Sequence, residues 1–247
     1  MQGEAMVVVE QESERFERLE LAGRGGMSTV YRALDRTTKQ VVAMKELLDA
    51  GGESVRRFFN EVRVLEEIEH PHVVRYVAHG LGPDEIPYLV MEWLEGTNLA
   101  DRLSNMGRLS VLDTVNLGRR VASALGLAHR RGVVHRDIKP SNIFLPQGDV
   151  QQVKVLDFGI ARLDRSTTIV TQTGTIVGTP GYMAPEQAKG DRTTLDARAD
   201  VFSLGCVLFE CLTGKPAFQA THVMALLAKL LLDEPPRVRE LRPDVPV

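Results

Sequence analysis

The hydrophobic pattern of this chain changes once, near the segment EWLEG, and that change constrains the fold more than any other feature. Upstream, the segments LELAGRGGMSTVYRALD and QVVAMKELL are rich in strand-forming residues and are separated by a turn-like RTTKQ. Downstream, apolar residues such as Leu117, Val121 and Leu125 recur at helical spacing. The pattern predicts an α+β fold with two lobes, a small β-rich lobe followed by a larger, mainly helical lobe.

Local signals divide the chain further. Apolar residues spaced by four, three and three from Phe58 to Ile68 predict one helix inside the sheet lobe, and His70-Pro71 ends it. Ser110 with Asp113 resembles a capping box at the start of a helix that runs until Gly132. We therefore expect four segments, namely an N-terminal extension (1–13), the sheet lobe (14–91), a connector or hinge (92–97) and the helical lobe (98–247).

Composition argues against several classes of partner. Thirty basic and 33 acidic residues leave a formal charge of -3, so we expect no nucleic-acid partner. The longest apolar run, from Val201 to Leu212, contains Glu210 and is too short to cross a bilayer, so we expect no membrane contact from this segment. Cys206 and Cys211 are expected to be buried thiols in a reducing compartment. We expect a cytoplasmic location, which could be that of the cytoplasmic part of a larger, membrane-anchored protein.

The first segment with a chemical signature is the turn GRGGMSTVY between two predicted strands. Gly23 and Gly25 would let backbone amides approach a phosphate without a clash from Cβ. Ser28 stands where such loops often carry a third glycine, so the match is imperfect. An ordinary glycine-rich hairpin would have the same composition.

A lysine and a glutamate form the second signature. Strand alternation directs Lys45 to the same face as Ala43 and away from Val42 and Met44. Glu61 lies close to the apolar face of the predicted helix, where a lone carboxylate would be costly. We expect the two side chains to pair and to hold the Lys45 ammonium toward phosphate oxygens.

The stretch VVHRDIKPSNIFL places five polar groups between two segments that read as short apolar strands. At the mouth of a cleft, Asp137 could accept a proton from a hydroxyl and Lys139 could neutralise a phosphoryl group in transfer. Asn142 and Asp157, from two loops, offer the oxygen ligands that Mg²⁺ prefers. Each aspartate alone could instead belong to an Asx turn, but their order along the chain argues for one site.

These motifs resemble those of protein kinases of the Ser/Thr class, most closely the bacterial members. GRGGMSTV is similar to the loop that covers the nucleotide, VAMK to the strand with the phosphate lysine, and HRDIKPSN to the catalytic loop. DFG is similar to the metal-binding motif, and APE to the end of the activation segment. The resemblance covers nearly the whole chain and implies a bilobal protein-kinase-like fold, ATP and Mg²⁺ as cofactors, and Glu61 as the partner of Lys45.

Other roles rest on the resemblance alone. The residues that it assigns to the adenine ring are Val30, Ala43, Met91, Glu92, Leu94 and Phe144, although ordinary core packing would also account for them. It stacks His135 with Leu65 and Phe158 in a spine, which makes His135 a packed structural residue rather than an acid or base. It also implies that Asp200 braces the catalytic loop.

Substrate class and regulation follow from the same resemblance. Lys139 and Thr179, which in the family bonds the catalytic aspartate and lysine, indicate protein substrates with Ser or Thr acceptors. TQTGT resembles an autophosphorylation segment, so we expect phosphorylation of Thr171 and Thr173 in trans within a transient homodimer. The phosphates would pair with Arg136.

The chain departs from the family at LRPDVPV, where the family continues into further helices. The arginine that normally pairs with Glu186 is not among these residues, and a buried carboxylate without its partner costs about 3–5 kcal/mol. We therefore expect a truncated domain of marginal stability and weak activity. An inactive nucleotide-binding scaffold stays open as an alternative function, as does a small-molecule phosphotransferase.

Overall fold

The structure is a computed structural model that describes residues 15–25, 28–48, 55, 58–59, 62, 65–82, 85–157, 180–190 and 195–246. These residues divide into two compact units. The first contains the described residues up to 69 and residues 74–94. The second contains residues 70–73 and the described residues from 95 onward. The predicted α+β composition is confirmed, with an antiparallel sheet in the first unit and mostly helix in the second.

The first unit is built on five antiparallel strands in the order β1-β2-β3-β5-β4. The strands are β1 (Phe16–Arg24), β2 (Ser28–Asp35), β3 (Val41–Leu47), β4 (Tyr76–Leu81) and β5 (Pro87–Glu92). The sequence reasoning missed β4, because its segment YVAHGL contains a histidine and a glycine that weaken the strand signal. The hydrogen bonds of its antiparallel pairing with β5 stabilise β4 despite this weak strand propensity.

Both faces of this sheet carry apolar side chains. One face holds a cluster of buried residues, namely Phe16, Ala33, Val42, Met44, Ala78, Tyr88 and Val90. A second cluster joins Leu89 and Met91 of β5 to Phe58 and Val62. Residues 55, 58, 59, 62, 65 and 66 are helical, which confirms the predicted helix of the sheet lobe. Because this helix buries Phe58 and Val62, its apolar face is the one that the spacing indicated.

The second unit is mainly helical. Its helices are α1 (Leu99–Met106), α2 (Val111–Arg130), α3 (Pro185–Ala188), α4 (Ala197–Thr213), α5 (Val223–Leu232) and α6 (Val238–Leu241). A small sheet consists of β6 (Gly96–Asn98), β7 (Ile143–Pro146) and β8 (Lys154–Val155). Helix α2 packs against α4. Within the residues that the structure describes, no helix is both long and apolar enough to cross a membrane.

Two local predictions in this unit are confirmed. The Ser110 Oγ accepts a hydrogen bond from the Asp113 amide at 2.9 Å, so Ser110 is the N-cap of α2 as predicted. The Asp113 carboxylate accepts from the Ser110 hydroxyl at 2.7 Å, which is not the reciprocal bond to the N-cap amide that defines a capping box. Cys206 and Cys211 are free and buried in α4. Burial raises the pKa of each thiol to about 12, so both stay protonated at neutral pH.

Two other predictions are wrong. Val133 and Val134 do not form a strand. The Val133 amide donates to the Ala128 carbonyl of α2 at 3.0 Å, and Asp200 binds the amides of the next two residues of the loop, His135 and Arg136, so these amides are not available to a sheet. The four prolines of the tail (233–247) favour a loop, but the tail contains the short helix α6. The buried guanidinium of Arg242 follows α6 and donates to the carbonyls of Leu109 (2.8 Å) and Leu212 (3.0 Å). These bonds anchor the tail to the unit.

Gly96 in β6 is a backbone position that a side chain cannot occupy. Its φ is 147°, and a Cβ there would overlap the Leu145 carbonyl oxygen and lie 2.7 Å from the Gln147 nitrogen. We expect Gly96→Ala to lower the free energy of unfolding by about 2 kcal/mol or more. Gly205→Ala, at an exposed site of α4 with open space around the added Cβ, should raise it by about 0.5–1 kcal/mol. Urea unfolding followed by circular dichroism measures both values, and equal effects would contradict this assignment.

Candidate active site

The loop that contains the predicted catalytic aspartate is held by one buried carboxylate. Asp200, in the first turn of α4, has no exposed surface. Its Oδ2 accepts from the His135 amide at 2.8 Å and from His129 Nε2 at 2.7 Å, and its Oδ1 accepts from the Arg136 amide at 2.8 Å. A buried carboxylate is costly unless hydrogen-bond donors surround it, and these three bonds supply the donors. The geometry agrees with the bracing role that the resemblance implied for Asp200.

The bonds to Asp200 coincide with an unusual backbone conformation. Arg136 has a φ of 63°, a left-handed value that a non-glycine residue adopts only when its surroundings impose it. The next amide, that of Asp137, donates to His135 Nδ1 at 3.3 Å. The main-chain amides of His135, Arg136 and Asp137 are therefore all bonded to side chains of the same unit. The backbone that carries the Asp137 side chain is constrained as a result.

The Asp137 carboxylate is contacted by both polar residues that the sequence placed beside it. Lys139 Nζ donates to Oδ2 at 2.9 Å, and each of these two side chains is 18% exposed. Asn142 Nδ2 donates to the same oxygen at 3.1 Å and to the Asp137 carbonyl at 2.8 Å. The structure thus brings Asp137, Lys139 and Asn142 together, with the carboxylate still within reach of solvent.

The two predicted metal ligands are linked through the main chain. The amide of Leu156 donates to the Asn142 carbonyl at 2.9 Å, and Asp157 follows directly with a φ of 50°. The side-chain nitrogen of Asn142 donates to Asp137, so the side-chain oxygen of Asn142 is the atom that can bind a cation. An amide oxygen and a carboxylate are the donor types that Mg²⁺ prefers, so the residues fit this metal.

His135 has a structural environment. It is fully buried, and its Nε2 donates to the Leu156 carbonyl at 2.8 Å while its Nδ1 accepts from a main-chain amide. Burial lowers the pKa of His135 from its ordinary value, although the nearby Asp200 opposes the shift. The ring is therefore neutral at pH 7, which agrees with the prediction that His135 is packed rather than an acid or base.

In the first unit, strand register places several predicted nucleotide-binding residues on one face of the sheet. Val30 lies directly opposite Lys45, and Ala43 lies opposite Met91. Directly opposed residues in an antiparallel pair share a face. Along β3, buried Val42, Met44 and Glu46 alternate with half-buried Ala43 and Lys45, as the sequence predicted.

The remaining predicted residues of this set lie near the ends of strands. The Gly25 amide donates to the Ser28 carbonyl at 2.8 Å in the turn between β1 and β2. A Cβ at Gly23 would meet no heavy atom within 4 Å, so the glycine turn is open on that side. The Glu92 amide donates to the Arg75 carbonyl, and the Glu92 carboxylate accepts from the Arg75 amide. Leu94 is the last described residue of the first unit. Phe144 is a half-buried residue of β7 in the second unit.

Several predicted residues lie outside the part of the chain that the structure describes. These are Glu61, Phe158, Thr171, Thr173 and Thr179. The pairing of Glu61 with Lys45, the spine contact of Phe158 and the roles of the three threonines therefore stay predictions.

The structure corrects one premise about Glu186. We expected this carboxylate to be buried without a partner, but Glu186 in α3 is partly exposed. Water can solvate a partly exposed carboxylate, so the expected cost of about 3–5 kcal/mol for a buried, unpaired charge does not apply in full.

Sequence reasoning also missed residues that contact this region. The sequence around His129 carries no signal of a partner, but the structure shows that His129 donates to Asp200. Tyr182 donates to the Glu210 carboxylate at 2.5 Å, and burial raises the pKa of both groups. Gln187 donates to the Arg136 carbonyl at 2.9 Å. None of these pairs could be found from local spacing, because the partners are far apart in sequence.

Comparison with known proteins gives a consistent result. Residues 16–239 match the family model described as "Protein kinase domain". The chain is 38% identical over 235 residues to a probable serine/threonine-protein kinase of Clostridium perfringens, with 94% of this chain and 33% of that protein covered. It is 37% identical over 245 residues to the serine/threonine-protein kinase PrkC of Bacillus subtilis, with 98% and 37% covered.

A third relative and a solved structure agree with these matches. The serine/threonine-protein kinase PknD of Mycobacterium tuberculosis is 40% identical over 232 residues, with 92% of this chain and 34% of that protein covered. A crystal structure of Rad53 1-466 in complex with AMP-PNP matches with a TM-score of 0.72 at 29% identity, covering 88% of this chain and 53% of that one. The chain spans about a third of the length of the curated relatives that it matches.

The three bonds to Asp200 make a stability prediction. We expect Asp200→Ala to lower the free energy of unfolding by about 3 kcal/mol or more, because two main-chain amides and one imidazole would lose a buried acceptor. Asp196→Ala is the matched control, since Asp196 caps the same helix through the Arg198 amide but is exposed, and its loss should lower the free energy of unfolding much less. Urea unfolding of both variants measures the difference, and a similar cost for the two would contradict the bracing role of Asp200.

Proposed function

This chain belongs to the protein kinase family, and from that premise we propose that it transfers the γ-phosphoryl group of ATP to Ser or Thr hydroxyls of protein substrates. The observation that carries this proposal is the Asp137 carboxylate, which Lys139 and Asn142 contact and which directly follows two residues whose amides Asp200 binds. A phosphoryl-transfer enzyme needs a positioned carboxylate and charge stabilisation more than covalent chemistry. The relatives named as Ser/Thr kinases support the acceptor class.

The proposed roles in the second unit follow from its contacts. Asp137 orients the substrate hydroxyl and accepts its proton, because it is a partly exposed carboxylate on a constrained loop. Lys139, 2.9 Å from that carboxylate, is placed to stabilise negative charge on the phosphoryl group in transfer. Asn142 and Asp157 would hold Mg²⁺, which supplies neutralisation of the phosphate oxygens when bound.

The first unit supplies the proposed nucleotide contacts. The shared sheet face of Val30, Ala43, Lys45 and Met91 offers apolar surface for adenine and one ammonium for phosphates. Gly23, Gly25 and Ser28 would cover the phosphates through main-chain amides. The contributions of Glu92, Leu94 and Phe144 to adenine binding, and of Glu61 to the orientation of Lys45, rest on the family resemblance.

Regulation is proposed to act through the threonine-rich segment. Phosphorylation of Thr171 and Thr173 in trans, within a transient pair of copies, would add charge that Arg136 can bind. Thr179 would complete the hydroxyl-binding side of the site. We also place this activity in the cytoplasm, where thiols such as the free Cys206 and Cys211 stay reduced.

The activity makes the first functional prediction. We expect the 247-residue chain to transfer label from γ-³²P-labelled ATP to a Ser/Thr peptide library only when Mg²⁺ is present. Asp137→Asn should lower kcat by about 10²–10⁴-fold, because an amide cannot accept the proton. Asp233→Asn, at an exposed aspartate after α5, is the matched control and should behave as the parent. Saturable ATP binding without phosphoryl transfer would contradict the proposed kinase activity and would favour a nucleotide-binding scaffold.

The regulatory proposal has its own test. We expect the doubly substituted Thr171→Ala/Thr173→Ala chain to incorporate less phosphate and to lose about tenfold or more in initial rate, since the phosphates that Arg136 would bind could no longer form. Thr221→Ala changes an exposed threonine elsewhere and should have no effect. Mass mapping after incubation with ATP locates the phosphates. Unchanged incorporation and rate in the double variant would remove these two threonines from the mechanism.

A further inference from the structure

The side-chain amide of Gln187 contacts two segments that are distant in sequence. Its Oε1 accepts from the Ala184 amide at 3.0 Å, and its Nε2 donates to the Arg136 carbonyl at 2.9 Å. The first contact lies within the start of α3, and the second reaches 51 residues back to the catalytic loop. One planar amide therefore links the helix that begins within APE to the residue before Asp137.

The Arg136 carbonyl is a sensitive place for such a contact. It belongs to the same planar peptide unit as the Asp137 amide, so whatever fixes the carbonyl also fixes the start of Asp137. Arg136 has the left-handed φ of 63°, and its own amide is bonded to Asp200. Gln187 therefore binds the carbonyl of Arg136, and Asp200 binds the amide of the same residue.

We infer that Gln187 is a positioning residue for phosphoryl transfer, acting by fixing the peptide unit between Arg136 and Asp137. The inference rests on the proposed function, because it assigns Gln187 a part in orienting the Asp137 carboxylate. Holding a reacting group in a productive orientation contributes strongly to rate, and small displacements are costly. Loss of this donor should lower kcat more than it changes the KM for ATP.

The simpler role for Gln187 is to cap α3. Gln and Glu serve equally at this position of a capping box, because only a side-chain acceptor for the Ala184 amide is required. Capping uses the Oε1 contact alone, whereas positioning uses the Nε2 donor. A variant that keeps the acceptor and removes the donor therefore separates the two roles.

Gln187→Glu is that variant. At pH 8 its carboxylate still accepts from Ala184, but it turns an oxygen rather than an N–H toward the Arg136 carbonyl at a spacing of about 2.9 Å. We expect kcat to fall about 10- to 100-fold, with the KM for ATP changed by less than about twofold. Gln187→Ala, which removes both contacts, should show a similar loss in kcat.

The pH dependence distinguishes a lost donor from a general structural effect. The facing Arg136 carbonyl favours the neutral form of the carboxyl introduced by Gln187→Glu and so raises its pKa, whereas the Ala184 amide favours the charged form. As the pH falls from about 8 to about 5.5, the protonated carboxyl becomes a donor to the Arg136 carbonyl. The kcat of Gln187→Glu relative to the parent should therefore rise several-fold, while the ratio for Gln187→Ala should stay flat.

The matched controls are Gln219→Glu and Gln219→Ala. Gln219 also donates its side-chain amide to a main-chain carbonyl, that of Pro216 at 3.3 Å, but it is exposed. Both controls should match the parent in kcat at every pH. Thermal melts at each pH confirm that the variants compared are folded, and Gln187→Glu alone carries the test if Gln187→Ala does not fold.

The outcomes separate this inference from the proposed function. No transfer by the parent chain would reject the proposed function and the inference with it. An active parent with an equally active Gln187→Glu would overturn the inference alone. So would a low activity of Gln187→Glu that does not recover at lower pH, since that result would not depend on the donor.

Discussion

Asp200 presents a charged carboxylate to the interior of the second unit, and burial of such a group requires that donors surround it. Two of its three donors are main-chain amides of consecutive residues, His135 and Arg136. The carboxylate therefore orders a stretch of backbone rather than a side chain. Because that stretch includes a residue with a left-handed φ, the loop keeps a conformation that it would not adopt in isolation. The geometry around Asp137 follows from this constraint.

The first unit reaches its arrangement by a different means. Antiparallel register and strand alternation place Val30 opposite Lys45 and Met91 opposite Ala43. Each position follows from hydrogen bonding along the strands, so a slip of one residue would turn the whole set to the other face. The buried cluster around Val42 and Met44 opposes such a slip, because the slip would bring these side chains out of the core. The same strand register therefore buries the core residues on one face of the sheet and places the proposed nucleotide-binding residues on the other face.

Prediction from sequence succeeded where the cause was local. Ser110 and Asp113 are three residues apart, and the period of apolar residues in α2 is the period of its buried side. The alternation around Lys45 is likewise contained in five residues. Prediction failed where the local signal was weak, as for β4, and where the partner was distant, as for His129, whose partner Asp200 is 71 residues away. The exposure of Glu186 also depends on the neighbours of α3 and not on its own motif.

The sequence by itself determined the change from sheet to helix along the chain, the family and the residue types of the candidate site, because periodicity and motif spacing are properties of short segments. The tertiary structure alone decided which groups meet. The Arg136 amide bonds Asp200, and the Arg136 carbonyl bonds Gln187, since two elements far apart in the chain converge on one residue. A side chain such as Gln187 has the same local sequence signal whether it caps a helix or also reaches a loop. Only packing, which sets distances across the unit, distinguishes the two.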